Sequence, residues 1–152
     1  MYIRNLRPDD YPEADRLMGL LHKLHVDARP DLYVPMEHIY SEEKFGQMLD
    51  SQDYITLGAE LDGKLIGLCI AEIRRRSFMV EQCSVYVDDL IVDPDFRRRG
   101  IASALMAQCR RHALACGAKR IDLMVWDFNE DALAFYKAQG MKMQRCILEK
   151  IL

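Results

Sequence analysis

The stretch from Val85 to Cys116, VYVDDLIVDPDFRRRGIASALMAQCRRHALAC, is the feature that most limits what this chain can fold into. An apolar run of strand character stops at Asp93-Pro94, a short basic loop closes on Gly100, and a helix begins almost at once. A loop with several unpaired backbone N–H groups, set at the positive end of a helix dipole, is a ready site for a phosphate-bearing ligand. Arg97 to Ser103 is therefore the first candidate for function.

The strand of this unit spans Val85 to Val92 and the helix Ile101 to Cys116. Ala102, Leu105, Met106, Cys109, Ala113 and Cys116 form its apolar stripe, and Gly117 suits the left-handed residue that ends it. Upstream, Tyr2 to Leu6 reads as a strand, and Pro8-Asp9-Asp10 supplies a turn and an acidic helix start, with Glu13 three residues after Asp10. Ala14, Leu17, Met18, Leu21 and Leu24 then recur at helical intervals. His22 to Pro35 reads as a helix end and a loop, whose two histidines lack the further ligands a metal needs. Ser41-Glu42-Glu43-Lys44 starts a short helix that buries Phe45, Met48 and Leu49.

Tyr54 to Leu61 and Leu65 to Ile73 flank Asp62-Gly63-Lys64, the strongest short-range hairpin signal, and a polar connection from Arg74 to Gln82 leads on to Val85. Ile121 to Val125 is a fifth strand, and Asn129 caps a helix with Glu130 and Asp131 in its first turn. Ala132, Leu133 and Tyr136 share one face of that helix, Gly140 ends it, and Met141 to Ile151 reads as one or two closing strands. The result is an α/β chain of one domain over residues 1–152, antiparallel hairpins first and strand–helix units later.

A net charge of -3 built from many charges of both signs argues against a dedicated nucleic-acid binder. Arg74-Arg75-Arg76 and Arg97-Arg98-Arg99 are local basic runs, read as solvated turns or anion contacts. Five cysteines, odd in number and without Cys-x-x-Cys spacing, favour reduced thiols in a cytoplasmic protein over disulfides or zinc. No apolar run reaches membrane length, so no membrane partner is expected.

Arg97-x-x-Gly100-x-Ala102 resembles the acetyl-coenzyme A loop of the GNAT superfamily of N-acetyltransferases. The Asn129-Glu-Asp-Ala-Leu-Ala-Phe-Tyr136-Lys-Ala-Gln-Gly140-Met141 stretch, one strand later, resembles that family's Asn-x-x-Ala-x-x-Phe-Tyr-x-x-x-Gly-Phe segment, with Met141 where Phe is usual. The resemblance implies an α+β fold: a mixed, largely antiparallel sheet of six to seven strands, flanked by about four helices and splayed between its fourth and fifth strands. It implies acetyl-CoA as co-substrate and a homodimer. The pyrophosphate would sit on the backbone of Arg98, Arg99, Gly100, Ile101, Ala102 and Ser103, with Arg97 beside it, and the pantetheine arm along Leu90, Ile91 and Val92, with Asn129 close by.

Acetyl transfer to an amine needs a base for the ammonium proton and an acid for the departing thiolate. Tyr136 matches the family tyrosine near the coenzyme sulfur, and Asp88 stands where some amine-acetylating members carry a carboxylate. Asp89, Glu72 and Glu81 are rival bases, and Asp88 and Asp89 fall on opposite faces if the strand is regular. A covalent route through Cys83 is disfavoured because no histidine is arranged to activate it. The expected activity is direct acetyl transfer, without a metal, to a small-molecule amine of polyamine, aminoglycoside or amino acid type. A protein or peptide acceptor, a non-turnover acyl-CoA sensor and a nucleic-acid module are the alternatives. Asp31, Tyr33, Glu72 and Glu81 are acceptor-pocket candidates by position.

Overall fold

The computed structural model of the chain describes residues 1–75 and 83–152. Four strands, β1 (Tyr2–Asn5), β2 (Tyr54–Leu61), β3 (Lys64–Arg75) and β4 (Cys83–Val92), pair antiparallel in sequence order. A fifth, β5 (Ile121–Leu123), joins β4 in parallel, giving the spatial order β1-β2-β3-β4-β5. The β2–β3 turn is the two-residue type with positive φ at both positions, 51° at Asp62 and 79° at Gly63, which suits the right-handed twist of the flanking strands.

Helices α1 (Tyr11–Ala28) and α2 (Glu42–Asp50) cover one face of the sheet, and α3 (Ile101–Ala115) covers the other. Ala14, Leu17 and Met18 of α1 and Phe45 and Met48 of α2 are buried with Leu68, Ile70 and Ile91. Leu105, Met106, Cys109 and Ala113 of α3 are buried with Val85, Val87 and Val92. The short α4 (Glu130–Ala138) lies at the α3 side, where Phe135 and the following Met141 pack against that core.

Four expectations change. The helix α1 continues through His22 and His25 to Ala28, and Leu24 is 43% exposed, past the end of the buried stripe. Asp10 does not cap α1 with its side chain; it accepts from the Arg7 N–H at 2.7 Å and takes both Arg4 nitrogens at 2.6 and 2.7 Å. Arg4 also reaches Glu60 at 2.5 Å, so a carboxylate expected to serve the helix instead ties its start to β1 and β2. The predicted strand at Met141 to Ile151 is absent: residues 141–152 pair with no strand among the described residues, which leaves five strands there where six to seven were expected.

The connection read as Arg74 to Gln82 is partly strand, since β3 extends to Arg75 and β4 begins at Cys83; its remainder lies outside the described residues. At Gly67 of β3 the β4 backbone comes close. A Cβ there would meet the Ile91 carbonyl oxygen at 2.9 Å and Val92 Cα at 3.4 Å, neither of which can swing aside. Gly67→Ala is expected to lower unfolding stability by about 1–3 kcal/mol, read by urea titration.

Candidate functional site

The parallel ladder between β4 and β5 is short. It joins Val85 to Ile121, Tyr86 to Asp122 and Val87 to Leu123, and goes no further, although β4 runs on to Val92. At the same point the β3–β4 register shifts: Ala71 faces Val87 and Ile70 faces Asp89, which leaves Asp88 as an extra, bulged residue.

The bulge decides where the backbone of the rest of β4 points. Val85 N–H donates to Arg120 on the β5 side, whereas Asp93 N–H donates to Ile66 on the β3 side. Eight residues apart in a regular strand, both would point the same way. One extra residue reverses the phase, so Asp89, Ile91 and Asp93 bond β3, and Leu90 and Val92 turn their backbone groups to the open edge beyond Val87. Side chains follow the same phase: Leu90 and Val92 stay on the α3 face with Val85 and Val87, while Ile91 packs on the α1 face.

Beyond Val92 the chain makes one helical turn, Pro94–Phe96, held by the Asp93 carboxylate, which accepts from Asp95 N–H at 3.0 Å and pairs with Arg16 of α1. Arg97 Nε donates to the Val92 carbonyl at 3.2 Å, and Arg99 lies over the Phe96 ring at 5.3 Å. Arg98 and Gly100 both have positive φ, 63° and 77°, and Gly100 leads directly into α3. No side chain caps α3, so the N–H groups of its first turn stay available, and Ile101, 3% exposed, anchors that turn in the core. A Cβ on Gly100 would meet nothing within 4 Å, so the approach to this helix end is open. Ser103 accepts from Gln139 of α4 at 3.2 Å.

Carboxylates gather at the bulge. Asp88 lies 3.7 Å from Arg74, which also donates to Glu72 at 2.6 Å and stacks on the Tyr86 ring at 3.8 Å. Burial, reinforced by Asp89 and Glu72 and opposed by Arg74, pushes the Asp88 carboxyl up to about 6. Asp89 is raised by burial and turned to the α1 side, where Tyr40 donates to it at 3.0 Å. The two are not simple opposite-face neighbours, because Asp88 is the bulged residue. Glu72 is engaged by Arg74, and Glu81 lies outside the described residues.

Tyr136 reaches in from α4. Burial, with the nearby Cys69 adding, pushes its hydroxyl up to about 12, and Cys69 lies opposite Leu90 in the sheet. Asn129 caps α4 by accepting from Ala132 N–H at 3.3 Å. Cys83 sits at the start of β4 and its thiol is raised by burial and by Cys116, the opposite of activation. Asp31 pairs with Arg29 at 2.7 Å.

Tyr33 does more than its sequence context indicates. Its hydroxyl accepts from Trp126 Nε1 at 2.9 Å, its ring stacks on His25 at 5.2 Å, and Trp126 stacks on Phe128 at 6.0 Å. These contacts join the loop after α1 to the segment after β5. Burial, with His22 adding, lowers the His25 pKa and so disfavours its charged form. Sequence reading missed Tyr40, Arg74 and Trp126 as site residues; the contacts Tyr40–Asp89, Arg74–Asp88 and Trp126–Tyr33 span 14 to 93 positions, and no local spacing signals them.

The model of the acetyltransferase (GNAT) family matches residues 20–141. An uncharacterized N-acetyltransferase of Methanocaldococcus jannaschii is 30% identical over 95% of this chain, which spans 62% of that relative's length. An acetyltransferase of Sodalis glossinidius is 28% identical over 97% of this chain and 92% of the relative. Among solved structures, a mutant protein from Bacillus halodurans matches with a TM-score of 0.96 at 28% identity, over 100% of this chain and 99% of that one. An aminoglycoside acetyltransferase from an uncultured soil metagenomic sample matches in fold with a TM-score of 0.71 at 24% identity, over 99% and 97% of the two chains.

The raised Asp88 carboxyl makes a stability prediction. Unfolded, Asp88 titrates near its ordinary 3.8, and folded near 6, so between these values the folded state holds more protons and stability falls as pH rises. Asp88→Asn is expected to raise the Tm at about pH 8 and to give no gain at about pH 4, measured by thermal unfolding at both.

Proposed function

This chain belongs to the acetyltransferase (GNAT) family of acyl-coenzyme A-dependent N-acetyltransferases, and from that premise we propose that it acetylates a primary amine on a small cationic molecule by direct attack in a ternary complex. The single observation that carries this reading is the bulge at Asp88, placed where β4 and β5 part. It supplies a carboxylate and an open backbone edge at one point.

The residues fit acetyl-CoA. The uncapped start of α3, with Gly100 in a left-handed conformation and open space around it, suits a pyrophosphate, and Arg97, Arg98 and Arg99 immediately precede it in the chain. Leu90 and the Val92 N–H would pair with the pantetheine amides as a neighbouring strand does, while one lone pair of the Val92 carbonyl is already taken by Arg97. Ile91 serves this slot only through the backbone it shares, since its side chain faces the α1 layer.

In this reading Asp88 removes the proton as the amine nitrogen attacks the thioester carbonyl, and the carbon–sulfur bond breaks. At about 6 it is ionised at neutral pH and more basic than an ordinary carboxylate. Tyr136, held protonated, donates a hydrogen bond to the departing sulfur. A thiol of ordinary pKa about 8.5 is more acidic than this phenol, so Tyr136 keeps its proton and stabilises the departing thiolate by hydrogen bonding, while the proton taken by Asp88 passes to solvent. Asn129 holds the start of α4 and so the placement of Tyr136. The carboxylates of Asp88, Asp89 and Glu72 favour a cationic acceptor. The protein works as a cytoplasmic homodimer of single-domain chains in this reading.

Thiol release from acetyl-CoA, measured across polyamines, amino sugars, amino acids and peptides, is expected to be fastest with small polyamines or amino sugars. Coenzyme binding without release for any amine would show a sensor and contradict the reading; release with peptides alone would move the acceptor to proteins. Tyr136→Phe is expected to lower kcat by about 100-fold with coenzyme binding intact. The wild-type kcat/KM should fall as pH drops through about 6, the value of Asp88, and Asp88→Asn should abolish that limb.

A further inference from the structure

The bulge in β4 brings two carboxyls to one face of the sheet, and the fold gives them different partners. Asp89 lies opposite Ile70, which is buried in the α1-side core. Asp88 pairs with Arg74, which lies against Tyr86; Tyr86 sits opposite Glu72, and Glu72 opposite Tyr54 of that same core. Neighbouring carboxyls on one partly buried face cannot both ionise as readily as one alone. Which of them holds the charge is set by what each is bonded to.

Asp89 accepts from the Tyr40 hydroxyl at 3.0 Å, a bond that favours its ionised form. The donor is permanent near neutral pH, because burial and the charges of Asp89 and Asp88 push the Tyr40 phenol far above its ordinary value. Asp88 has only the Arg74 guanidinium at 3.7 Å, and Arg74 is bonded more closely to Glu72, at 2.6 Å. Tyr40 is itself fixed from two sides. Its carbonyl accepts from the Tyr11 hydroxyl of α1 at 2.9 Å, and the next residue, Ser41, caps α2 by accepting from Lys44 N–H at 3.1 Å. The other titratable groups around the two carboxyls are Tyr54 of β2 and Glu72, Arg74 and Cys69 of β3; Tyr54 and Cys69 are both raised and add no charge near neutral pH. The helices over this face contribute apolar Leu17, Met18 and Phe45.

We propose that Tyr40 is a positioning residue for acetyl transfer: by keeping the negative charge on Asp89, it leaves Asp88 as the carboxyl that takes the proton of the attacking amine. Asp89 is then a fixed anion behind the base, and its charge adds to the burial that raises Asp88. The inference rests on Asp88 as the base of the preceding reading and is independent of which amine is the acceptor.

NMR titration of the Asp88 and Asp89 side-chain carboxyls in the full chain tests it without turnover, alongside the pH profile of kcat/KM. In the unaltered chain Asp89 should lose its proton at lower pH than Asp88. Tyr40→Phe should reverse that order. Asp89, left without its donor, should hold its proton to higher pH, and Asp88, without an anion beside it, should ionise at lower pH by at least about 0.5, carrying the acid limb of kcat/KM with it. Asp89→Asn should move the limb in the same direction, and Tyr40→Phe added to it should move the limb no further. An Asp88 titration that Tyr40→Phe leaves in place, with only the Tm lowered, overturns the proposal and leaves Asp88 standing as the base. A limb that does not follow Asp88 when its titration moves, or that Asp89→Asn abolishes, takes the base role from Asp88 and overturns the proposal with it. Should Tyr40→Phe fail to fold, the unaltered chain decides: Asp89 titrating above Asp88 contradicts the proposal.

Discussion

One extra residue in a strand governs the candidate site. Asp88 is inserted into β4 opposite the step from Ile70 to Ala71, and the strand cannot absorb it without reversing the phase of everything downstream. The backbone groups of Leu90 and Val92 consequently face away from β3, and β5 has already left. The same residue places a carboxyl where burial and a second carboxylate raise its pKa. An open strand edge and a raised carboxyl arise from a single irregularity.

The rest of the site is arranged around that edge by ordinary packing. Val92 leads into a tight turn pinned by Asp93 and Arg16, which fixes the distance from the strand edge to the start of α3. Ile101 and Leu105 bury the first turns of α3 against the sheet, so the free N–H groups stay where the turn delivers them. From the other side, Phe135 and Met141 seat α4 on the same core, and Tyr136 follows toward Cys69. The uncapped start of α3, the Tyr136 hydroxyl and the Asp88 carboxyl are thus held by three different elements.

Local chemistry made much of this legible in the sequence. The Asp62-Gly63 hairpin, the Ser41 cap, Gly117 after α3 and the Asn129 cap are each set by residues within four positions of one another. A regular strand would put Asp88 and Asp89 on opposite faces, but the bulge depends on register with β3, which no local spacing encodes. The ties of Tyr40 to Asp89 and Tyr33 to Trp126 join segments 49 and 93 residues apart, and were invisible for the same reason. Asp10 was misread because Arg4, in a neighbouring strand, competes for it better than the helix start does. The tail after Met141 has the composition of a strand, but composition cannot supply the edge it needs to pair with.

The central claim is that the bulge presents the Leu90 and Val92 amides to the pantetheine arm, and residue-resolved amide exchange with and without saturating acetyl-CoA measures it most directly. The account predicts that Leu90 and Val92 become markedly slower on binding, whereas Asp89 and Ile91, already bonded to β3, change little. Saturated binding that leaves Leu90 and Val92 unchanged would contradict it.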